Sequence, residues 1–255
     1  MPIMSSFKAC DLMMPFLQTI SRLALVLLWG CGGLAVSPAF ASSSADSYFY
    51  ISPHDLPPDL LQKPPSQESA AEHQQIIAVI KAQQHLSDET LRDIRNEQHM
   101  RLDIMTDILG HRLTREKNPQ TFQFLEHVLA NTESLTENDK QFWHTKRPYL
   151  LDPKVKLLVD PLKNSPSYPS GHTSGSWVLA EVLGILYPDA REALRAQASA
   201  VGQHRIAAGV HTPFDVEGGH LLAMQILGAL LENEDFQLDL LAAQEEINKA
   251  ATITY

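Results

Sequence analysis

Cysteine is nearly absent from this chain. It occurs twice in 255 residues, as Cys10 and Cys31, which is too few for a disulfide scaffold or a four-thiolate zinc site. Positive charge is also in short supply, with 20 Lys+Arg against 30 Asp+Glu and a net charge of −10. Affinity for a phosphate backbone comes from neutralising many phosphates at once, so a general nucleic-acid binder is excluded. Long apolar runs are missing too: the stretch from Leu23 to Val36 is interrupted by three glycines and falls short of the roughly 20 residues a membrane span needs. Neither strand-like alternation of apolar and polar residues nor a repeat of fixed period is visible.

The N-terminal stretch has the layout of an export signal. Lys8 and Arg22 precede the apolar run from Leu23 to Leu28, and Ala39-Phe40-Ala41 places small residues at both cleavage positions. Residues 1–41 are therefore expected to be a cleavable signal peptide, with Met13 or Met14 as alternative starts. A lipoprotein reading of Leu28-Trp29-Gly30-Cys31 competes, and the bulky Trp29 beside the cysteine counts against it. Cleavage removes both cysteines together with Lys8, Arg22 and Asp11, taking the net charge from −10 to −11. Cysteine catalysis is then ruled out, and the expected location is the periplasm or the exterior, with no membrane association after cleavage.

Residues 42–66 are Ser-rich and then Pro-rich (Pro53, Pro57, Pro58, Pro64, Pro65), the composition of an extended strap over a domain or of a loose arm. Helical periodicity follows. Helices are expected over about 67–84, 88–98, 100–114, 120–130, 136–146, 172–187, 189–208, 213–231 and 236–248. Residues 67–255 thus form one all-α domain, a bundle of about eight or nine helices joined by short loops.

Three segments carry chemistry. In the first, Lys140 to Arg147-Pro148, a spacing of seven residues is close to two helical turns, so a helix running to Pro148 would put Lys140 and Arg147 on one face as an anion cradle. The bland alternative is a solvated basic face that includes Lys146. In the second, Ser167-Tyr168-Pro169-Ser170-Gly171-His172 leads into an apolar helix. Ser170 is a natural N-cap, Gly171 allows close backbone approach, and the free amides of a helix start attract phosphate-like anions. His172 is placed to give a proton to a leaving group, or is incidental to a capped helix. In the third, Arg205 and His211 flank a turn closed by Gly209. Thr212 caps the next helix, Pro213 occupies its first position, and Asp215 falls three residues after the cap. Asp215 either serves only a capping box or accepts a hydrogen bond from His211, leaving the other ring nitrogen's lone pair to attack.

Taken together, Lys140-x6-Arg147-Pro148, Pro169-Ser170-Gly171-His172 and Arg205-x5-His211-x3-Asp215 resemble the three-part signature of the type 2 phosphatidic acid phosphatase superfamily, in order and in approximate spacing. That superfamily includes bacterial class A non-specific acid phosphatases, lipid phosphatases and vanadium haloperoxidases. The resemblance spans about residues 136–225, and the Pro-rich strap is similar to the N-terminal region of the exported class A enzymes. It implies an acid phosphatase acting on phosphate monoesters through a phosphohistidine on His211. Asp215 would orient the nucleophile, and His172 would be general acid and then base. Lys140, Arg147, Ser170, Gly171 and Arg205 would hold the phosphoryl oxygens. No metal and no cofactor are implied, and vanadate is expected to inhibit. Small-molecule phosphate esters are the expected partners, and a homo-oligomer is compatible with the pattern.

Other uses of the same pocket are a vanadate-dependent haloperoxidase, for which the chain is short, and a lipid phosphate phosphatase, whose relatives usually carry several membrane spans. A metal-dependent hydrolase would use His204, His211, Asp215 and His220, but it leaves the first two segments unexplained. One departure from the signature stands out: where the family usually has serine before the arginine, this chain has His204, expected to tune the site through an additional nearby charge.

Overall fold

Four helices begin where the sequence places a hydroxyl cap. Ser69, Ser87, Ser170 and Thr212 each have extended backbone, and each side chain accepts the amide three residues on, from Glu72, Thr90, Thr173 and Asp215. A cap of this kind satisfies one of the amides that a helix start leaves without a carbonyl. The structure, a computed structural model, describes residues 49–161 and 164–252. The signal expected over 1–41 and the first residues of the strap lie outside this range.

The helices are α1 (Ala70–Ala82), α2 (Asp88–Asn96), α3 (Asp103–Thr106), α4 (Pro119–Trp143), α5 (Pro148–Leu151), α6 (Gly171–Leu186), α7 (Arg191–Ala207), α8 (Pro213–Glu232) and α9 (Glu234–Thr252). Short 3₁₀ turns cover Pro58–Leu60, Asp107–Arg112 and Pro188–Ala190, and no strand occurs among the described residues. The fold is all-α, as the periodicity predicts. Helix α6 is central, packed by α4, α7 and α8, while α9 closes against α4 and α8. Val178, Leu179, Val182 and Leu183 of α6 are fully buried with Leu125 and Val128 of α4, Leu194 of α7, Ile226 of α8 and Phe236 of α9. Each such side chain contributes about 1.5–3 kcal/mol of burial. Two smaller clusters, Ile76, Val79, Val155 and Ile206, and Ile94, Ala207, Ala208 and Val210, attach α1 and α2 to the end of α7.

Two expectations about local structure are corrected. The segments 120–130 and 136–146 are one continuous 25-residue helix, α4. The polar residues between them look like a break, but Asn131 and Thr132 are buried and satisfied within the fold while Glu133 faces solvent. Asn131 accepts from the Ile51 amide at 3.0 Å and donates to its carbonyl at 2.8 Å, and the Thr132 and Thr136 hydroxyls donate back to the carbonyls of Val128 and Thr132 at 2.8 Å. The helix expected over 100–114 is a single turn, α3, followed by 3₁₀ structure. Gly110 sits there at φ 53°, ψ −129°, outside helical space.

The described part of the Pro-rich stretch is tied down at several points. Besides the Asn131 clamp on Ile51, Asn233 donates to the Tyr50 carbonyl, Tyr168 Oη donates to the Gln62 carbonyl, and Ile51 and Leu61 are buried. Removing the clamp leaves a buried amide and a buried carbonyl without partners, at roughly 1–3 kcal/mol for each unsatisfied group. Asn131→Ala is accordingly expected to lose about 3 kcal/mol of unfolding free energy, read from urea denaturation. A loss under about 0.5 kcal/mol, the range of ordinary surface changes, would show that the clamp is not structural.

Candidate active site

The site is assembled at one end of the bundle, where the loop into α6, the end of α7 and the start of α8 meet. Ser170 is wholly buried and caps α6, and its own amide donates to the Asp215 carbonyl at 2.9 Å, pinning the start of α6 to the first turn of α8. This close approach needs the glycine pair in α8. A Cβ at Gly218 would lie 2.2 Å from Tyr168 Cε2, and one at Gly219 would lie 2.5 Å from the Ser170 carbonyl oxygen. At the end of α7, Gly209 adopts φ +78°, and a Cβ there would meet the Lys156 carbonyl at 2.4 Å. The turn that separates Arg205 from His211 therefore requires glycine.

Three cations are buried in this region. Arg205, Arg147 and Lys140 are 2%, 3% and 6% exposed. Lys140 Nζ donates to the carbonyls of Pro166, Ser167 and Pro169 at 2.9, 3.0 and 2.7 Å, so all three of its protons organise the loop before α6 and what it offers an anion is its charge. Burial and the adjacent Arg147 push its pKa down to about 7. Arg147 donates to the Ser165 carbonyl and hydroxyl and to the Val210 carbonyl, and its Nη1 lies 2.8 Å from His211 Nε2. Arg205 Nη2 donates to the Ile94 carbonyl at 3.1 Å, while its Nε is buried with no partner.

One expectation is corrected here. Lys140 and Arg147 do not share a helical face: α4 ends at Trp143, His144 turns left-handed at φ 50°, and Arg147 is the extended residue that caps α5. The seven-residue spacing carries the two cations to the same place through a turn. Residues before proline avoid helical backbone, which explains why Arg147 stands at a helix boundary.

The protonation state of His211 follows from its neighbours. A guanidinium has only donors, so Nε2 facing Arg147 must hold the lone pair and the ring proton sits on Nδ1. Nδ1 is 3.6 Å from Asp215 Oδ2 and makes no hydrogen bond of ordinary length. Burial, then Arg147 and Lys140, lowers the His211 pKa well below the usual imidazole value. Asp215 Oδ2 accepts from the Thr212 amide and from the Ser167 hydroxyl, both at 2.7 Å, and the Thr212 hydroxyl accepts the Asp215 amide. The capping box is thus complete, and the same carboxylate faces the protonated edge of His211. Burial raises the Asp215 pKa, and these donors oppose the rise.

His172, in the first turn of α6, has its Nε2 buried without a partner. Burial and the Arg205 guanidinium push its pKa down to about 3, against a hydrogen bond to the backbone of Glu97. The Ser170 hydroxyl accepts from Thr173 Oγ1 at 2.9 Å and so retains its own proton to donate. Gly171 has no steric reason inside the protein to be glycine, since a Cβ there would meet Thr136 and Lys140 only at 3.6 and 3.9 Å. Lys140, Arg147, Ser170, Gly171, His172, Arg205, His211 and Asp215 therefore lie around one point. Three cations that act on both imidazoles, the amide end of a helix and two neutral imidazoles meet there. Such an arrangement can hold a tetrahedral oxyanion and present a nucleophilic nitrogen to it.

The histidines of the metal alternative are engaged otherwise. His204 Nδ1 donates to Glu97 Oε2 at 2.9 Å, and His220 stacks on Trp177 with centroids 4.0 Å apart. Among the described residues no group of three or more His, Cys, Asp or Glu could hold a metal ion. The sequence reading missed two residues. Ser167, which bonds Asp215, lies inside the second segment and could have been found there as one more hydroxyl beside the cap. Glu97 has no local signal, being one acid in a charged stretch far from every segment.

A buried imidazole with a lowered pKa destabilises the protein in acid. Below the unfolded value of about 6.5 the unfolded chain takes up a proton that the native state refuses, so stability present at pH 7 is lost as the pH falls. The stability gap between wild type and His211→Asn should therefore shift against wild type between pH 7 and pH 4, as measured by chemical denaturation. In 15N-detected NMR, His211 should remain the neutral Nδ1–H tautomer across pH 5 to 8. A midpoint near 6.5 would contradict the geometry.

Comparison with known proteins finds relatives of the region that contains these residues. Residues 124–235 match the family model of the PAP2 superfamily. The chain is 34% identical over 116 residues to an acid phosphatase of Zymomonas mobilis, covering 44% of each protein. It is 26% identical over 148 residues to a non-specific acid phosphatase of Providencia stuartii and 28% identical over 149 residues to one of Salmonella typhi. These matches cover 56% and 57% of this chain and 60% of each relative. The matches thus span about half the length of these relatives. Among solved structures, the chain is similar to a transmembrane PAP2-type phosphatidylglycerolphosphate phosphatase from Bacillus subtilis, with TM-score 0.45 and 20% identity, covering 64% of this chain and 87% of the other. Among the described residues no helix is long and apolar enough to cross a membrane. The three sequence segments gathered into the cationic pocket all lie inside residues 124–235, the region in which this chain is similar to the PAP2 superfamily.

Proposed function

We propose that the protein is an exported acid phosphatase that hydrolyses small, water-soluble phosphate monoesters through a phosphohistidine on His211. The observation that carries this reading is the His211 ring itself: neutral, with its lone pair on Nε2, beside Arg147 at 2.8 Å, within a cluster of buried cations. Arg147 Nη1 guards the lone pair until a phosphoryl oxygen takes over the donor. Arg147, the Arg205 Nε, the Ser170 hydroxyl and the first amides of α6 then hold the three non-bridging oxygens, and Lys140 supplies charge from behind the loop. Positioning and charge stabilisation are the main means of lowering the barrier to phosphoryl transfer.

The steps balance without a metal or cofactor. His211 Nε2 attacks phosphorus, the bond to the ester oxygen breaks with its electrons on that oxygen, and His172 supplies the proton that makes it an alcohol. Neutral His172 next accepts a proton from water as the water oxygen attacks phosphorus. The P–N bond breaks, its electrons return to Nε2, and inorganic phosphate leaves with the proton. Because the His172 pKa lies at about 3 beside Arg205, the starting proton comes with the substrate, as the ester monoanion. A phosphate monoester loses its second proton near pH 6, so the acid optimum follows from the substrate's own titration as well as from the histidine pair. Export rests on the signal expected over residues 1–41.

His211→Ala should abolish release of phosphate from 4-nitrophenyl phosphate and the acid-quenched phosphoenzyme, whereas His172→Ala should still form phosphoenzyme with this good leaving group. Wild-type turnover in His211→Ala would sink the reading. The alkaline limb of kcat/KM should move with the second pKa of the substrate when esters of different acidity are compared. A limb that stays in place would show that the proton resides on the enzyme instead.

A further inference from the structure

The C-terminal turn of α2 lies outside the region matched by the family, yet it touches the site at three points. The Ile94 carbonyl accepts from Arg205 Nη2 at 3.1 Å, the Glu97 carboxylate lies 3.9 Å from the same nitrogen, and the backbone of Glu97 hydrogen-bonds His172. Glu97 is 4% exposed, and a buried carboxylate needs both a counter-charge and hydrogen bonds. Arg205 supplies the charge, and His204 supplies a bond at 2.9 Å from Nδ1 to the same oxygen. His204 is the residue that departs from the serine expected in the family signature, and its partner is now visible.

The consequence for Arg205 is directional. A guanidinium is a rigid fork, so fixing Nη2 against α2 fixes the orientation of Nε, the buried donor that has no partner in the protein. We propose that Glu97, itself held by His204, is a positioning residue that aims the free Nε edge of Arg205 at the phosphoryl group. The inference rests on the phosphatase reading of the pocket. It makes Glu97 and His204 a unit: the histidine fixes the carboxylate, and the carboxylate fixes the arginine. Neither touches the substrate.

The test is a double-mutant cycle on the full chain with 4-nitrophenyl phosphate. Glu97→Gln should lower kcat by about ten- to a hundredfold, the scale on which small misplacements act, with a smaller change in KM and a cooperative unfolding transition retained. Glu97→Asp should recover part of the loss. In an Arg205→Lys background Glu97→Gln should cause little further loss, because its effect passes through Arg205. Should Glu97→Gln not fold, His204→Ser carries the same cycle, with a loss in kcat that again vanishes in Arg205→Lys. A folded Glu97→Gln with kcat within twofold of wild type overturns the proposal, as do losses that multiply in the double variant. A wild-type protein that hydrolyses no phosphate ester overturns the phosphatase reading instead, so the two failures are distinguishable.

Discussion

Burying three cations within one small region is the constraint from which the irregular parts of this fold follow. An ammonium or guanidinium taken out of water costs several kcal/mol unless it is paired and hydrogen-bonded. Helices cannot supply the acceptors, because their carbonyls are already used. The acceptors come from the non-helical backbone between α5 and α6, where Ser165, Pro166, Ser167 and Pro169 turn carbonyls onto Arg147 and Lys140, and from helix ends, where Val210 and Ile94 serve Arg147 and Arg205. The loop before α6 is shaped by the charges it surrounds.

Two buried carboxylates complete the balance, one on each side. Asp215 faces His211 and Lys140 from the first turn of α8, and Glu97 faces Arg205 and His204 from the end of α2. Two anions against three cations leave a local excess of positive charge inside a chain whose net charge is −10. An anionic ligand is therefore opposed at long range and attracted at short range. Burial and the same field hold both imidazoles neutral, so that in the proposed reaction His211 keeps a free lone pair and His172 depends on an anion at its side before it can carry a proton.

Close packing of α8 on the start of α6 ties the chemistry to the core. The glycine pair at 218 and 219 removes two side chains at the point where Tyr168 and Ser170 would collide with them, and Tyr168 in turn reaches the Gln62 carbonyl of the N-terminal stretch. The cap of α6 and the capping box of α8 share the bond from Ser170 to Asp215. A displacement of either helix would move the first amides of α6 and the start of α8 beside His211 together.

What the sequence determined by itself was local or linear. N-caps at Ser170 and Thr212, the turn at Gly209, the all-α class and the three chemical segments were all legible, because each depends on residues within a few positions of one another. The polar stretch at 131–136 was misread as a helix break, since nothing nearby reveals that Asn131 has a backbone partner 80 residues away. The seven-residue spacing suggests one helical face for Lys140 and Arg147, whereas a left-handed turn at His144 and buried carbonyls from residues 165–169 bring them together. Only tertiary structure decided which nitrogen of His211 faces Arg147, what His204 bonds to, and that Glu97 lies against Arg205 and His172. Those are questions of charge balance in a buried volume, and its boundaries are drawn by chain segments that the sequence keeps far apart.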